Sequence, residues 1–433
     1  MKSVLKLSVT VLISLFIVVV FLNRPDSEPR FNPSANPAYI PQPGDSFDFY
    51  IAENRRRIDQ SLEEYYFDSR PDPFGAAYTR EDVLNMRSPY QINPSPEQCS
   101  GLDGTESTGF LMVHGLSDSP YLLKRVAESI ASEYPCALIR GLLSPGHSTV
   151  PGDLLNVRRE DWYQTFAFGV SGFFNLVESL YVVGYSNGSV LALNYLDRNR
   201  DSAAISGLIL LSPGLKTRDT RAFLSPWLKY GWKWINQSPD QDAVKYESFP
   251  MSAAAEFYHL TEDVTRAGFG SLSLPVLMVV SGDDTTIDNQ YSVDFFCNKL
   301  DADSRKMIWY QSGLGSGNPE GICSGIELIP PAQTDRFISY SHVAITMPPT
   351  DPHYGMDGNY SACLTYTSEP DIFLRCREDN AATVYAENSY LDEARSFAGK
   401  LVRRTTFNPA YNEMISELSC FVNSDCTEEE SSR

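Results

Sequence analysis

Histidine is scarce in this chain: five occur among 433 residues, at positions 114, 147, 259, 342 and 353. They are dispersed, and none belongs to an H-E-x-x-H pair, so no metal site is evident. Cysteine never occurs as C-x-x-C, which removes the thioredoxin-like redox motif. Basic residues are the minority, 35 Lys and Arg against 55 Asp and Glu, for a net charge of −20. A phosphate backbone needs a basic face, so a nucleic-acid partner is excluded. Strong electrostatic attraction to anionic lipid heads is disfavoured for the same reason. Gly313, Gly315 and Gly317 make a poor phosphate loop, without the helix or lysine that one requires, and read as plain loop. No cofactor is implied, and no internal repeat is visible.

What is present marks an exported, core-forming protein. Hydrophobic residues make up 42% of the chain and aromatics 12%, and the length suits one large α/β domain with insertions. Residues 4–22 are a nearly unbroken apolar run with Lys2 and Lys6 at its amino end. That length and those flanks predict an N-terminal membrane anchor over residues 1–23, with the basic end cytoplasmic and the rest exported to the periplasmic or extracellular side. The alternative is a signal peptide that is cleaved, giving a secreted protein. Eight cysteines, an even number, fit disulfides in an exported chain. Connectivity is not legible, but Cys363 with Cys376 and Cys420 with Cys426 would close short loops. Residues 24–45 carry Pro25, Pro29, Pro33, Pro37, Pro41 and Pro43 among polar residues and are expected to form an extended, semi-rigid linker.

The remainder, 46–433, is expected to be one domain. From about residue 108, short apolar runs alternate with helical patterning: 109–113, 137–139, 180–183, 208–211, 276–280 and 307–310 read as strands. Such alternation predicts a doubly wound, mostly parallel sheet with its ligand site at the carboxyl ends of the strands. The alternation pauses over about 214–272, where Trp227, Tyr230, Trp232, Trp234 and Ile235 crowd together. This segment is expected to be an inserted cap, its aromatics either core or substrate lining. A second insertion, a Gly- and Pro-rich loop, is expected over about 312–341.

Gly184-Tyr185-Ser186-Asn187-Gly188 follows the run 180–183 and precedes helical patterning. Strand, G-x-S-x-G turn, then helix is the context of a nucleophile elbow, in which the serine hydroxyl stands exposed. Serine needs a base within hydrogen-bond reach and a third group to orient that base. In a doubly wound hydrolase the chain order is serine, acid, histidine. That order leaves His342 and His353 as bases, with His342 favoured for its place at a polar-to-apolar junction. The acid belongs just after the strand at 276–280, where Asp283, Asp284 and Asp288 compete. Asp284 is preferred and Asp283 is the runner-up, while Asp288 is expected to cap the following helix. The oxyanion needs two amides, expected from Leu116 and Asn187, with His114 bracing the loop.

These residues give the chain a resemblance to the α/β-hydrolase fold, near the carboxylesterases and monoacylglycerol lipases. It is carried by residues 114–120, by Pro145-Gly146-His147-Ser148 with 151–154 and Asp161-Trp162, by 184–188 and by 282–288, with His342 closing the set. Two departures stand out. Ser148 replaces the glycine of the usual P-G-H-G, and 58 residues separate Asp284 from His342 where relatives have about 30. The resemblance implies a serine hydrolase that cleaves small or lipid-derived carboxylic esters through an acyl-enzyme. The alternatives are a non-catalytic hydrolase-like binding protein at the membrane, or a triad hydrolase acting on peptide, thioester or polyester.

Overall fold

The computed structural model describes residues 24–70, 73–74, 78–99, 107–200, 204–266, 268–312, 317–330, 336–392 and 399–423. Its centre is an eight-stranded sheet. In chain order its strands are β1 (Tyr90–Ile92), β2 (Thr108–Val113), β3 (Leu138–Leu142), β4 (Ser179–Tyr185) and β5 (Gly207–Leu211). After β6 (Trp234–Asn236) and β7 (Phe249–Pro250), a separate antiparallel pair, the sheet resumes with β8 (Val276–Ser281), β9 (Arg305–Tyr310) and β10 (Ile326–Ile329). The spatial order is β1-β3-β2-β4-β5-β8-β9-β10. Every pairing in it is parallel except β1 with β3. This is the doubly wound α/β-hydrolase arrangement.

Both faces of the sheet are covered, which is why its strands read as continuous apolar runs. Side chains still alternate. On β4, Leu180 and Val182 join one buried cluster while Val183 and Tyr185 join the other; on β5, Leu208 and Leu210 oppose Ile209 and Leu211. Each such fully buried side chain contributes about 1.5–3 kcal/mol. The helix α1 (Phe47–Leu62) buries Tyr50, Ile58 and Leu62 on the first face. The helix that closes the described chain, Tyr411–Asn423, buries Met414, Ile415 and Leu418 on the second.

Three features differ from the sequence reading. Residues 24–45 do not stand off as a linker. Arg30, Phe31 and Ala38 are buried. The Arg30 guanidinium pairs with the buried Asp240 carboxylate and donates to the Ser238 carbonyl at 3.0 Å. Phe31 meets Trp234 edge to face. Gly152 lies so close to this strap that a Cβ there would sit 2.1 Å from the Asn32 carbonyl oxygen. The prolines hid this packing because composition reports stiffness and says nothing of docking. Secondly, the Gly- and Pro-rich insertion at 312–341 is not all loop: Ile326–Ile329 adds a parallel strand beside β9. Four residues between glycines and prolines give too short a pattern to read. Thirdly, β1 is an edge strand of only three residues, which no periodicity reveals.

Disulfides join Cys99 to Cys136, Cys297 to Cys323 and Cys363 to Cys376. Cys420 is also a disulfide cysteine; its expected partner, Cys426, lies outside the described residues, as does the expected anchor over residues 1–23. Among the described residues no helix is long and apolar enough to cross a membrane.

Candidate active site

Ser186 sits at the carboxyl end of β4 with φ 51° and ψ −110°, a left-handed backbone that a non-glycine residue adopts only when its surroundings enforce it. The enforcement is visible. A Cβ on Gly188 would lie 2.0 Å from the Val113 carbonyl oxygen, and one on Gly184 would lie 2.6 Å from the Ser189 nitrogen. Glycine at both places lets the turn press against β2 and against its own helix. Asn187 begins that helix, Asn187–Arg198, so its amide has no intrahelical acceptor.

Ser186 Oγ lies 2.9 Å from His342 Nε2, and His342 Nδ1 lies 2.6 Å from Asp284 Oδ2. The structure therefore brings Ser186, His342 and Asp284 into one hydrogen-bonded file, across 156 and 58 residues of sequence. Asp284 is fully buried, and its other oxygen accepts from the amides of Thr286 at 2.7 Å and Ile287 at 3.2 Å. Ile287 is itself buried, so the turn after β8 is pinned beneath the carboxylate.

The competing residues have other partners. Asp283 accepts from Ser312 Oγ at 2.8 Å and from the Tyr340 amide at 3.1 Å, and burial pushes its carboxyl up to about 6. It ties the strand end to the loop that carries His342. Asp288 caps the helix Asn289–Lys299, accepting from the Tyr291 amide. Both ring nitrogens of His353 are engaged, by Asp242 Oδ1 at 2.8 Å and by the Tyr78 hydroxyl at 2.6 Å.

His114 and His147 brace the loop that holds Leu116. His114 Nε2 accepts from the Ser144 amide at 3.0 Å, which leaves Nδ1 to donate to the Gly115 carbonyl. His147 Nε2 accepts from the Ser117 amide at 3.0 Å. Burial depresses both, to about 3 and about 4, so both are neutral imidazoles at pH 7. The Ser148 that interrupts the familiar motif has φ 69°, the conformation in which a glycine is at ease. Its hydroxyl donates to the Arg87 carbonyl at 2.8 Å, a bond that glycine could not make.

A cavity of ≈520 Å³ opens on Ser186 and His342, within the range of small-molecule sites. Leu116 lines it beside Ser186, and Leu224, Leu228, Ile235, Met251 and Phe257 line it from the segment between β5 and β8. The tryptophans in that segment do not. Trp227 and Trp232 are 68% and 64% exposed, and Trp234 is buried against the strap, its indole donating to Asp26 Oδ2 at 3.2 Å. Three polar residues at the cavity had no sequence signal for the part they take. Asp118 is buried, with its carboxyl pushed up by desolvation against the pull of Lys245, 3.7 Å away. Arg404 arrives from β12 (Leu401–Arg404), which pairs in parallel with β11 (Thr383–Ala386). Its guanidinium bonds Glu387 at 2.8 Å and Thr286 Oγ1 at 3.0 Å.

No family model matches the chain. Among curated proteins, it is 24% identical over 185 residues to a thermostable monoacylglycerol lipase from Bacillus sp. (strain H-257), covering 41% of this chain and 71% of that one. Among solved structures, it is similar to one reported for LipS and LipT, two metagenome-derived lipolytic enzymes. The TM-score is 0.42 at 15% identity, over 51% of this chain and 86% of that one. It is also similar to a monoacylglycerol lipase from Paleococcus ferrophilus, with a TM-score of 0.39 at 17% identity, over 52% and 88%.

Proposed function

We propose that this lipase- and esterase-like chain is a serine hydrolase that cleaves carboxylic esters by way of an acyl-enzyme. The observation that carries the reading is the hydrogen-bonded file from Ser186 through His342 to Asp284, at the mouth of a largely apolar cavity. In this reading His342 takes the Ser186 proton as Oγ attacks the ester carbonyl, and Asp284 holds the imidazole in the tautomer that accepts at Nε2. The amides of Leu116 and Asn187 meet the oxyanion. Collapse of the tetrahedral intermediate releases the alcohol, protonated by His342, and water repeats the sequence to free the acid. The acyl chain lies along Leu224, Leu228, Ile235 and Phe257.

A fluorophosphonate probe labels Ser186 in this reading, and Ser186→Ala loses ester hydrolysis by several orders of magnitude without a change in thermal melting. Labelling that persists in Ser186→Ala would overturn it. We further propose that the domain is exported and held by residues 4–22. The apolar run and the disulfides support this placement. Protease added to intact spheroplasts removes an exported domain, whereas full protection would place it in the cytoplasm.

A further inference from the structure

A second compartment, ≈230 Å³ in volume, adjoins the catalytic cavity. Ser117, Lys245, Phe249, Val343 and Arg404 line both, so the two spaces share a wall. The lining of the second is different in kind. Glu247, Lys245, Arg404, Asn388 and the Tyr360 ring face it, drawn largely from the C-terminal stretch that the family resemblance does not reach. Glu247 is a built feature: it is 8% exposed, and its oxygens accept from the Tyr360 hydroxyl at 2.7 Å and the Gln241 amide at 2.7 Å. Asp242, which also lines the compartment, is fully buried and held by His353 and the Tyr354 hydroxyl.

We infer that this compartment receives the alcohol half of the ester, and that this alcohol is hydroxyl-rich, of glycosyl or comparably large polyol type. The inference rests on the esterase reading above and adds the substrate class. Its first support is directional. His342 must hand its proton to the leaving oxygen, so the alcohol leaves past the imidazole. Val343, the next residue, lies in the shared wall. The acyl half, in the reading above, lies against Leu224, Leu228 and Ile235, none of which lines the second compartment.

The second support is chemical. Carboxylates and cations line one small space. An alkyl alcohol would strip water from Glu247 and Lys245 and return no hydrogen bond. An anionic alcohol would meet Glu247 and Asp242, and a cationic one would meet Lys245 and Arg404. Hydroxyl groups both donate and accept, and so match a lining of mixed sign. Burial raises the Glu247 carboxyl to about 7, so near neutral pH it can take either part in such a bond.

The test holds the acyl chain fixed and varies the alcohol. Ethyl octanoate, 1-octanoylglycerol, 6-O-octanoylglucose and octanoyl glycerol-3-phosphate are compared by kcat/KM, on the full chain and on Lys245→Met and Asn388→Leu, with thermal melting as the check on folding. The expected result is a preference for the glucose ester over the ethyl ester of about tenfold or more, falling toward parity in either variant, since one lost hydrogen bond of this kind is worth roughly that factor. Parity between glucose and ethyl esters in the parent overturns the inference. So does a preference that survives both substitutions, or a phosphate ester that outruns the glucose ester, which would assign the space to an anion. Failure of the esterase reading is distinguishable: no ester is turned over and no fluorophosphonate is incorporated at Ser186.

Discussion

Adjacent aspartates that look alike in sequence do different work at atomic distance. Asp284 touches the imidazole; Asp283 fastens the Tyr340 amide, two residues before that imidazole in the chain. Replacement of Asp284 by Asn leaves the shape nearly intact but favours the wrong tautomer, so kcat is expected to fall about 10³–10⁴-fold. Asp283→Asn keeps an acceptor for the amide and is expected to lose less than about tenfold in kcat, with a lowered melting temperature as its main effect. Measured kcat values in the reverse order would exchange the two roles. The turn that carries Ser186, the proposed nucleophile, was legible because a strained turn demands glycines at fixed offsets. Histidine scarcity narrowed the proposed base to two residues. What separates His342 from His353 is Asp242 and Tyr78, partners that sit 111 and 275 residues from His353 and leave no trace in spacing.

At the scale of elements, the central strands were legible and the edges were not. A strand covered on both faces is a run of four to seven apolar residues; β1 and β10 are short, half covered and mixed, so their character comes from a neighbour that sequence does not display. The cap segment was legible as an interruption, but the orientation of its aromatics was not. Composition drew attention to the tryptophans, while the side chains of this segment that line the cavity include Leu224, Leu228, Ile235, Met251 and Phe257 and no tryptophan. Leu228→Ala and Ile235→Ala are therefore expected to raise KM for p-nitrophenyl octanoate more than for the acetate. The gap should widen with chain length, since each buried methylene is worth about 0.8 kcal/mol. Trp232→Ala should leave the acyl-length profile unchanged, because its ring is exposed and outside the cavity lining. A uniform effect of Leu228→Ala across acetate, butyrate and octanoate would make it a packing residue only.

At the scale of the whole molecule, residues 24–45, which precede α1, are part of the folded unit. Arg30 is the cation that compensates Asp240, a buried carboxylate that also accepts from the amides of Glu247 and Ser248. A truncation that begins at residue 45 removes Arg30 and leaves that charge unpaired, a change of the kind that costs about 3–5 kcal/mol. A form beginning at residue 24 keeps it. Thermal unfolding of the two forms side by side should show the shorter one melting several degrees lower, and equal melting temperatures would mean that the strap is not load-sharing.

The strap also grips the segment that roofs the cavity: Asp26 reaches the Trp234 indole, and Lys233 bonds the Arg24 carbonyl. Under the proposed anchorage, three residues lie between Leu22 and Asp26, and the four extended steps from one to the other reach no farther than about 14 Å. The roof would then be moored within a headgroup's depth of the bilayer and unable to wander. Such an enzyme samples a surface, so its rate follows the areal density of ester in the membrane. Dilution of the surrounding medium would hardly slow it.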